Sequence, residues 1–149
     1  MSLTRHVVVP VDFSALSLEA LRGLRELGTP VQQVTLLHVY DAESASDLAV
    51  SDLAPPAKDA TEKFRKVLRE RLDHWREQHL QGFPAVNAEV LASDSPAEAI
   101  CKRAGEIGAT LIAITTHGRT GLPHLFMGSV AEGVVQKAPC PTLVMRRPA

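Results

Sequence analysis

The sequence is poor in the residues that mark several common classes of protein. Its two cysteines, Cys101 and Cys140, are too few for a disulfide framework, so a reducing cytoplasm is the expected location. The 16 basic and 17 acidic residues nearly cancel, which leaves no electrostatic footprint for nucleic acid. No apolar stretch is long enough to span a membrane, and the N-terminus leads into a strand-like run instead of a signal peptide. We therefore expect a cytoplasmic protein that binds neither nucleic acid nor membrane.

Side-chain arrangements that support catalysis or bind structural metals are also missing. No pairing of a nucleophile with a base, and no pair of carboxylates, stands out in the sequence. His74 and His79 are five residues apart, which puts them on different faces of a helix and excludes a simple metal-binding pair. Cys101 and Cys140 have no evident activating neighbour, so both are predicted to be packed thiols. The sequence does not support fast catalysis, and it favours a binding protein over an enzyme.

What the sequence does contain is an alternation of strand-like and helix-like segments. Apolar and often β-branched runs predict strands over residues 5–11, 34–39, 86–91, 111–114 and 142–145. Helical patterns fill most of the intervals, so we expect one α/β domain over residues 1–149, with a five-stranded parallel sheet and helices on both faces. The third strand alternates in polarity and is expected at an edge of the sheet. Residues 41–56, rich in alanine, serine and aspartate, are predicted to form a loop.

Three helix starts are predicted from residues that commonly cap or open helices. Ser14 is the predicted N-cap of the first helix, whose inner stripe extends to Leu27. Pro96 is expected in the first turn of a later helix, where its missing N–H is not needed. Ser129 and Glu132 have the spacing of a capping box, in which each side chain accepts a hydrogen bond from the backbone of the other residue.

Residues 111–130 predict a binding site for an anion. A buried strand runs into a loop that contains Gly118 and Gly121, and a helix begins near Gly128 and Ser129. Glycines let a backbone approach a ligand closely, and the first N–H groups of a helix attract negative charge. The segment is not a Walker loop, because no lysine holds the required position, and it lacks the GxGxxG pattern. The alternative is that the glycines only form turns and that Ser129 only caps the helix.

Four other residues are candidates for ligand contact at the carboxyl edge of the sheet. Ligands of parallel sheets bind where the strand order reverses, so Asp12 faces the glycine loop if the first and fourth strands are neighbours. Its carboxylate suits a ribose hydroxyl or a Mg²⁺ ion beside phosphates, and the alternative role is helix capping. The backbone of Val39 could meet a base, or the residue is simply core. Arg119 could reach a phosphate or remain solvated, whereas His117 is expected to be a structural loop residue.

Six motifs are distributed over nearly the whole chain. They are VPVDFS at 9–14, LLHV at 36–39, SPAEAI at 95–100, THGRTG at 116–121, GSVAEGVV at 128–135 and APCPTLVM at 138–145. Through them the chain resembles the universal stress protein family, for which the run from the fourth strand through THGRTG to GSVAE is highly specific. The resemblance implies a Rossmann-like, three-layer sandwich of the adenine nucleotide alpha hydrolase type. It also implies a homodimer paired through the last strand, Thr142–Met145.

The resemblance further implies a nucleotide site. Many family members bind ATP with Mg²⁺ or Mn²⁺ through glycine, two residues, glycine, nine residues, and a glycine followed by serine or threonine. In this chain Gly118 matches the second glycine, Gly128 and Ser129 match the closing pair, and Asp12 matches the acidic residue that contacts ribose or metal. The implied cofactor-binding residues are Pro10, Val11, Asp12, Val39, Ile114, Thr115, His117, Gly118, Arg119, Gly128, Ser129 and Val130, with Asp12 as the contact to Mg²⁺.

Two departures from the family pattern bear on this expectation. Thr115 puts a Cβ and a hydroxyl where the pattern has its first glycine, and Asp94 puts a carboxylate where ATP-binding members commonly carry glycine. The expected function is a stress-response regulatory dimer that binds ATP. The alternatives are a dimeric stress scaffold that binds no nucleotide and acts through protein contacts, and a slow ATPase.

Overall fold

The computed structural model describes residues 2–41, 57–116 and 128–146. Within these ranges the strands are β1 (His6–Pro10), β2 (Gln33–Tyr40), β3 (Val86–Ala92), β4 (Leu111–Thr115) and β5 (Thr142–Met145). The helices in the same ranges are α1 (Ser17–Glu26), α2 (Ala57–His79), α3 (Pro96–Glu106) and α4 (Ser129–Lys137). The predicted alternation of strands and helices is confirmed.

The five strands form one parallel sheet in the order β3-β2-β1-β4-β5. The central strand β1 pairs with β2, where Val9 lies opposite Leu36, and with β4, where Val8 lies opposite Ile112. From β1 the chain first builds outward through β2 and β3, and then returns to the other side of β1 to form β4 and β5. The strand order therefore reverses between β1 and β4, and β3 lies at an edge as predicted.

The sheet separates two apolar clusters, and the valines of β1 contribute to both. Val7, Val8 and Val9 are fully buried, and their side chains alternate between the faces of the sheet. Val7 and Val9 join a cluster that includes Leu24 and Leu72, on what we call the α1–α2 face. Val8 joins a second cluster with residues of α3 and α4, on the α3–α4 face. Burial on both faces explains why β1 is a continuous apolar run.

The predicted N-cap of the first helix is wrong by two residues, because Leu16 occupies that position instead of Ser14. Helix α1 begins at Ser17, and no side-chain cap is formed there. Ser14 instead lies in a tight turn, in which the backbone N–H of Ser17 donates to the carbonyl of Ser14 over 3.1 Å. The cause is Asp12, whose carboxylate holds Ser14 and Ser17 and so delays the helix. Leu27 follows the last residue of α1 and is 41% exposed, so it does not extend the inner stripe.

The predicted capping box at the start of α4 is also wrong. The helix begins at Ser129, Gly128 occupies the N-cap position, and no side-chain cap is formed. The N–H of Glu132 donates to the carbonyl of Gly128 over 2.9 Å. A capping box needs its serine at the N-cap, so the register is off by one residue. Pro96 is the first residue of α3, as predicted.

Several predictions fall on parts of the chain outside the described residues. They concern His117, Gly118, Arg119 and Gly121, and all of the predicted loop at 41–56 except Asp41. Among the described helices, none combines the length and the apolar character needed to cross a bilayer.

Candidate functional site

A cleft of about 210 Å³ opens at the carboxyl ends of β1 and β4. Nine of the twelve residues implied by the family pattern line it: Pro10, Val11, Asp12, Val39, Ile114, Thr115, Gly128, Ser129 and Val130. The other three, His117, Gly118 and Arg119, lie outside the described residues. Asp12 is the only charged side chain among the described lining residues. Segments far apart in sequence thus meet where the strand order reverses, which is where parallel sheets usually bind ligands.

Six further lining residues were not predicted from the sequence. They are Leu16, Ser17, Leu37, Pro96, Ile100 and Ala131. Leu37 could have been found, because it lies two residues before Val39 and therefore on the same face of β2. Ile100 and Ala131 come from two helices that pack together on the α3–α4 face, and no local pattern indicates that they share a cleft.

Asp12 is oriented by a set of short hydrogen bonds. Its Oδ1 accepts from the backbone N–H of Ser14 over 2.9 Å, from the hydroxyl of Ser14, and from the hydroxyl of Ser17 over 2.8 Å. The Oγ of Ser17 also accepts the backbone N–H of Asp12 over 3.2 Å. Asp12 is exposed, whereas Ser17 is only 5% exposed. The helix-capping role weighed for Asp12 is not formed, because these bonds hold a turn before α1 and no side chain caps that helix. The turn fixes the carboxylate at the mouth of the cleft.

The turn that carries Asp12 is held against β2 and α2 through Phe13. This residue has φ +66°, a left-handed conformation that is costly for a side chain of this size. Its ring lies 4.5 Å from the ring of His38, and the guanidinium carbon of Arg71 lies 4.3 Å from the ring centre. The Nδ1 of His38 donates to the carbonyl of Val11 over 2.7 Å. Burial lowers the pKa of His38, and the charge of Arg71 lowers it further. The hydrogen bond to Val11 and the charge of Asp12 act in the opposite direction and raise this pKa.

The start of α4 forms another wall of the cleft. Gly128 and Val130 are half-buried, and Ser129 is exposed. The first N–H groups of an α-helix have no partner within the helix, and the helix dipole places partial positive charge at that end. A negatively charged group of a ligand can therefore be bound at this wall without a lysine or arginine.

Two neighbouring threonines at the end of β4 have different surroundings. Thr115 lines the cleft, whereas Thr116 is 5% exposed and is directed to β5. The N–H and the hydroxyl of Thr116 both donate to the carbonyl of Met145, over 2.9 Å and 3.4 Å. Asp94 is exposed and is not among the residues that line the cleft. Of the two departures from the family pattern, only Thr115 is therefore a wall of the site.

The donor groups of the cleft determine whether a metal ion fits it. Within the described ranges, no three or more histidine, cysteine or acidic side chains lie together as metal ligands would. Mg²⁺ in nucleotide sites is held by one or two carboxylates, by phosphates and by water. Among the described residues of the cleft, Asp12 is the one that could serve as such a carboxylate, and only when a nucleotide supplies the remaining oxygen ligands.

Comparison with known proteins identifies the family. The family model described as the Universal stress protein family matches residues 4–146. The chain belongs to this family. Among curated family members, universal stress protein MJ0531 of Methanocaldococcus jannaschii is 30% identical, over 99% of this chain and 85% of that protein.

Solved structures of family members share the fold. The protein MJ0577 of the same archaeon superposes with a TM-score of 0.76 at 25% identity, over 99% of both chains. A universal stress protein family member from Arabidopsis thaliana, solved with AMP bound, gives a TM-score of 0.61 at 19% identity, over 97% of this chain and 93% of that one. At that identity the likeness concerns the fold. The five-stranded parallel sheet with helices on both faces is thus the fold of the universal stress proteins.

Proposed function

We propose that this universal stress protein binds an adenine nucleotide, ATP with Mg²⁺, in the cleft at the carboxyl ends of β1 and β4. The observation that carries the proposal is that nine of the positions implied for the family's nucleotide site, drawn from four segments of the chain, line one cleft. On this proposal the protein is a cytoplasmic stress-response regulator whose state is set by nucleotide.

The chemistry of the walls is suited to the parts of a nucleotide. Leu37, Val39 and Ile114 form an apolar floor that suits the flat base, and Asp12 can accept a hydrogen bond from a ribose hydroxyl. The cleft volume of about 210 Å³ is below the range of roughly 300–1,000 Å³ that is typical of ligand pockets. We therefore expect the cleft to enclose the nucleoside, with the phosphates extending along the start of α4.

Support also comes from the family. The Arabidopsis family member named above was solved with AMP bound. For this chain, AMP and ATP share the nucleoside that the apolar floor would hold. They differ in the charge that the start of α4 and a Mg²⁺ ion at Asp12 would need to balance.

Nucleotide content and affinity test the proposal. The protein is purified without added ligand and denatured, released nucleotide is identified by chromatography, and ATP with Mg²⁺ is then titrated by calorimetry. The expected result is either carried nucleotide or saturable binding. If neither is found, the nucleotide proposal is wrong.

A matched pair of substitutions on α4 tests the location of the site. Val130→Phe places a ring in the cleft and should abolish binding. Val135→Phe makes the same change at a residue of α4 that is 46% exposed and is not among the cleft residues, so binding should persist. Equal affinity of the two variants for ATP would show that the nucleotide binds outside this cleft. Thermal unfolding of both variants controls for loss of structure.

We also propose that β5 pairs with its mate in a second copy. It lies at an edge of the sheet, and all four of its residues are partly exposed. An unprotected edge strand tends to pair with another chain, and identical edges pair through a two-fold axis.

A second candidate function is a dimeric stress scaffold that binds no nucleotide and acts through protein contacts. The observation in its favour is that no lysine or arginine is among the described residues of the cleft. A stable dimer without carried or bound nucleotide would support the scaffold. Hydrolysis of ATP is the third hypothesis, and measurement of phosphate release during the titration tests it.

A further inference from the structure

The hydroxyl of Thr115 is the one buried side-chain polar atom of the described chain without a hydrogen-bond partner. The residue lies at the carboxyl end of β4 and lines the cleft beside Asp12 and Gly128. Its neighbour Thr116, by contrast, donates its hydroxyl to the carbonyl of Met145. A buried hydroxyl without a partner is unfavourable, and native proteins rarely keep one unless it has a use.

We propose that Thr115 is a ligand-contacting residue, whose hydroxyl forms a hydrogen bond with a ribose hydroxyl or a phosphate oxygen of the bound nucleotide. The inference rests on the proposed function. It also goes beyond it, because the family pattern has glycine at this position and gives the side chain no role. In this chain the departure from the pattern adds a contact instead of blocking the site.

The proposal predicts opposite effects of one substitution on stability and on affinity. Thr115→Val keeps the β-branched shape that suits a strand and removes only the hydroxyl. In the ligand-free protein the change removes an unsatisfied polar atom, so the midpoint of thermal unfolding should rise by about 2–4 °C. In the complex the same change removes a hydrogen bond, so the affinity for ATP should fall about tenfold. A residue with a purely structural role would not separate the two measurements in this way.

The experiment compares the wild type, Thr115→Val and Thr115→Ser. Each protein is freed of nucleotide, which is verified by chromatography of the denatured sample. Thermal unfolding is then recorded without ligand, and binding of ATP and of adenosine is measured by calorimetry. Thr115→Ser keeps the hydroxyl and should retain most of the affinity for ATP. If Thr115→Val has lower affinity for both ligands, the hydroxyl contacts the ribose. If its affinity is lower for ATP alone, the hydroxyl contacts a phosphate.

The outcomes separate this inference from the proposed function. If the wild type binds ATP and Thr115→Val binds it equally well, the hydroxyl makes no ligand contact and the inference is wrong while the nucleotide site stands. If Thr115→Val lowers the unfolding midpoint of the ligand-free protein, the hydroxyl is already satisfied within the chain, and the inference is again wrong. If the wild type binds neither ATP nor adenosine, the proposed function itself fails, and the role of Thr115 fails with it.

Discussion

Ser17 is predicted to be the residue on which the position of Asp12 depends most. Its Oγ donates to Oδ1 of Asp12 over 2.8 Å and accepts the N–H of Asp12 over 3.2 Å. Ser17 is only 5% exposed, so water cannot readily replace it. Ser17→Ala removes both hydrogen bonds without adding volume. Ser14→Ala removes a single hydroxyl contact and leaves the backbone N–H of Ser14 bound to Asp12.

The expected magnitude follows from the type of each bond. A hydrogen bond to a carboxylate contributes about 1.5–3 kcal/mol and a neutral one about 0.5–1.5 kcal/mol, with the lower values appropriate here because Asp12 is exposed. We therefore expect Ser17→Ala to lower the free energy of unfolding by about 2 kcal/mol. The urea midpoint should fall by about 1 M at an unchanged slope. The affinity for ATP should fall as well, because Asp12 is then no longer fixed at the mouth of the cleft.

Urea unfolding of the nucleotide-free proteins measures the difference. Ser14→Ala serves as the matched control, with an expected loss of about 0.5 kcal/mol, since only an exposed bond is removed. Equal stability of the two variants would show that the buried hydroxyl does not hold the turn. A fall in stability with full affinity for ATP would show that Asp12 is not a ligand contact.

Three further predictions concern other parts of the structure. A Cβ on Gly133 would lie 2.6 Å from the Cβ of Ala97, so Gly133→Ala should lower the free energy of unfolding, measured in urea, by about 1–3 kcal/mol. Adding Ala97→Gly to this variant should restore stability. An unchanged urea midpoint in Gly133→Ala would contradict the tight contact between α3 and α4. Burial lowers the pKa of His38, so the stability that this residue contributes is complete above pH 6.5 and is lost as the pH falls below that value, by at most about 1.4 kcal/mol per pH unit. Relative to the wild type, His38→Asn should flatten that part of the plot of unfolding free energy against pH. The carbonyls of Pro141 and Met145 accept hydrogen bonds from Ile112 of β4 and from Thr116. Because successive residues of a strand direct their backbone groups to opposite sides, the N–H of Val144 faces the outer edge of the sheet. Val144→Pro, but not Val144→Ala, should therefore convert the proposed dimer to a monomer in light-scattering chromatography. A wild type that elutes as a monomer would refute the pairing of β5.

Much of the fold could be predicted because its signals are local. Val7, Val8 and Val9 form an unbroken apolar run, since β1 is buried on both faces, and Pro96 opens α3. The general rule that parallel sheets bind ligands at the carboxyl ends of strands then indicated Asp12 and the end of β4. The neighbouring positions of β1 and β4 were the assumption that rule required, and the strand order confirms it.

The errors arose where side chains compete with the backbone or where distant segments meet. Ser14 has the chemistry of an N-cap, but the carboxylate of Asp12 attracts it into a turn. Ser129 has the spacing of a capping box, but Gly128 takes the cap position. The contributions of Ile100 and Ala131 to the cleft depend on the packing of α3 against α4, which is a property of the tertiary structure.

The two hydrogen bonds from Thr116 to Met145 link the cleft to the edge of the sheet. Thr115 is a wall of the cleft, the next residue is bonded to the last residue of β5, and a single peptide bond separates the two. If a nucleotide binds at Thr115 and a second copy of the chain pairs with β5, both binding events involve the carboxyl end of β4. Thermodynamic linkage is then reciprocal, so any factor by which nucleotide strengthens the dimer is the factor by which dimerisation tightens the nucleotide. Such a protein would report the local concentration of its own copies as well as that of its ligand.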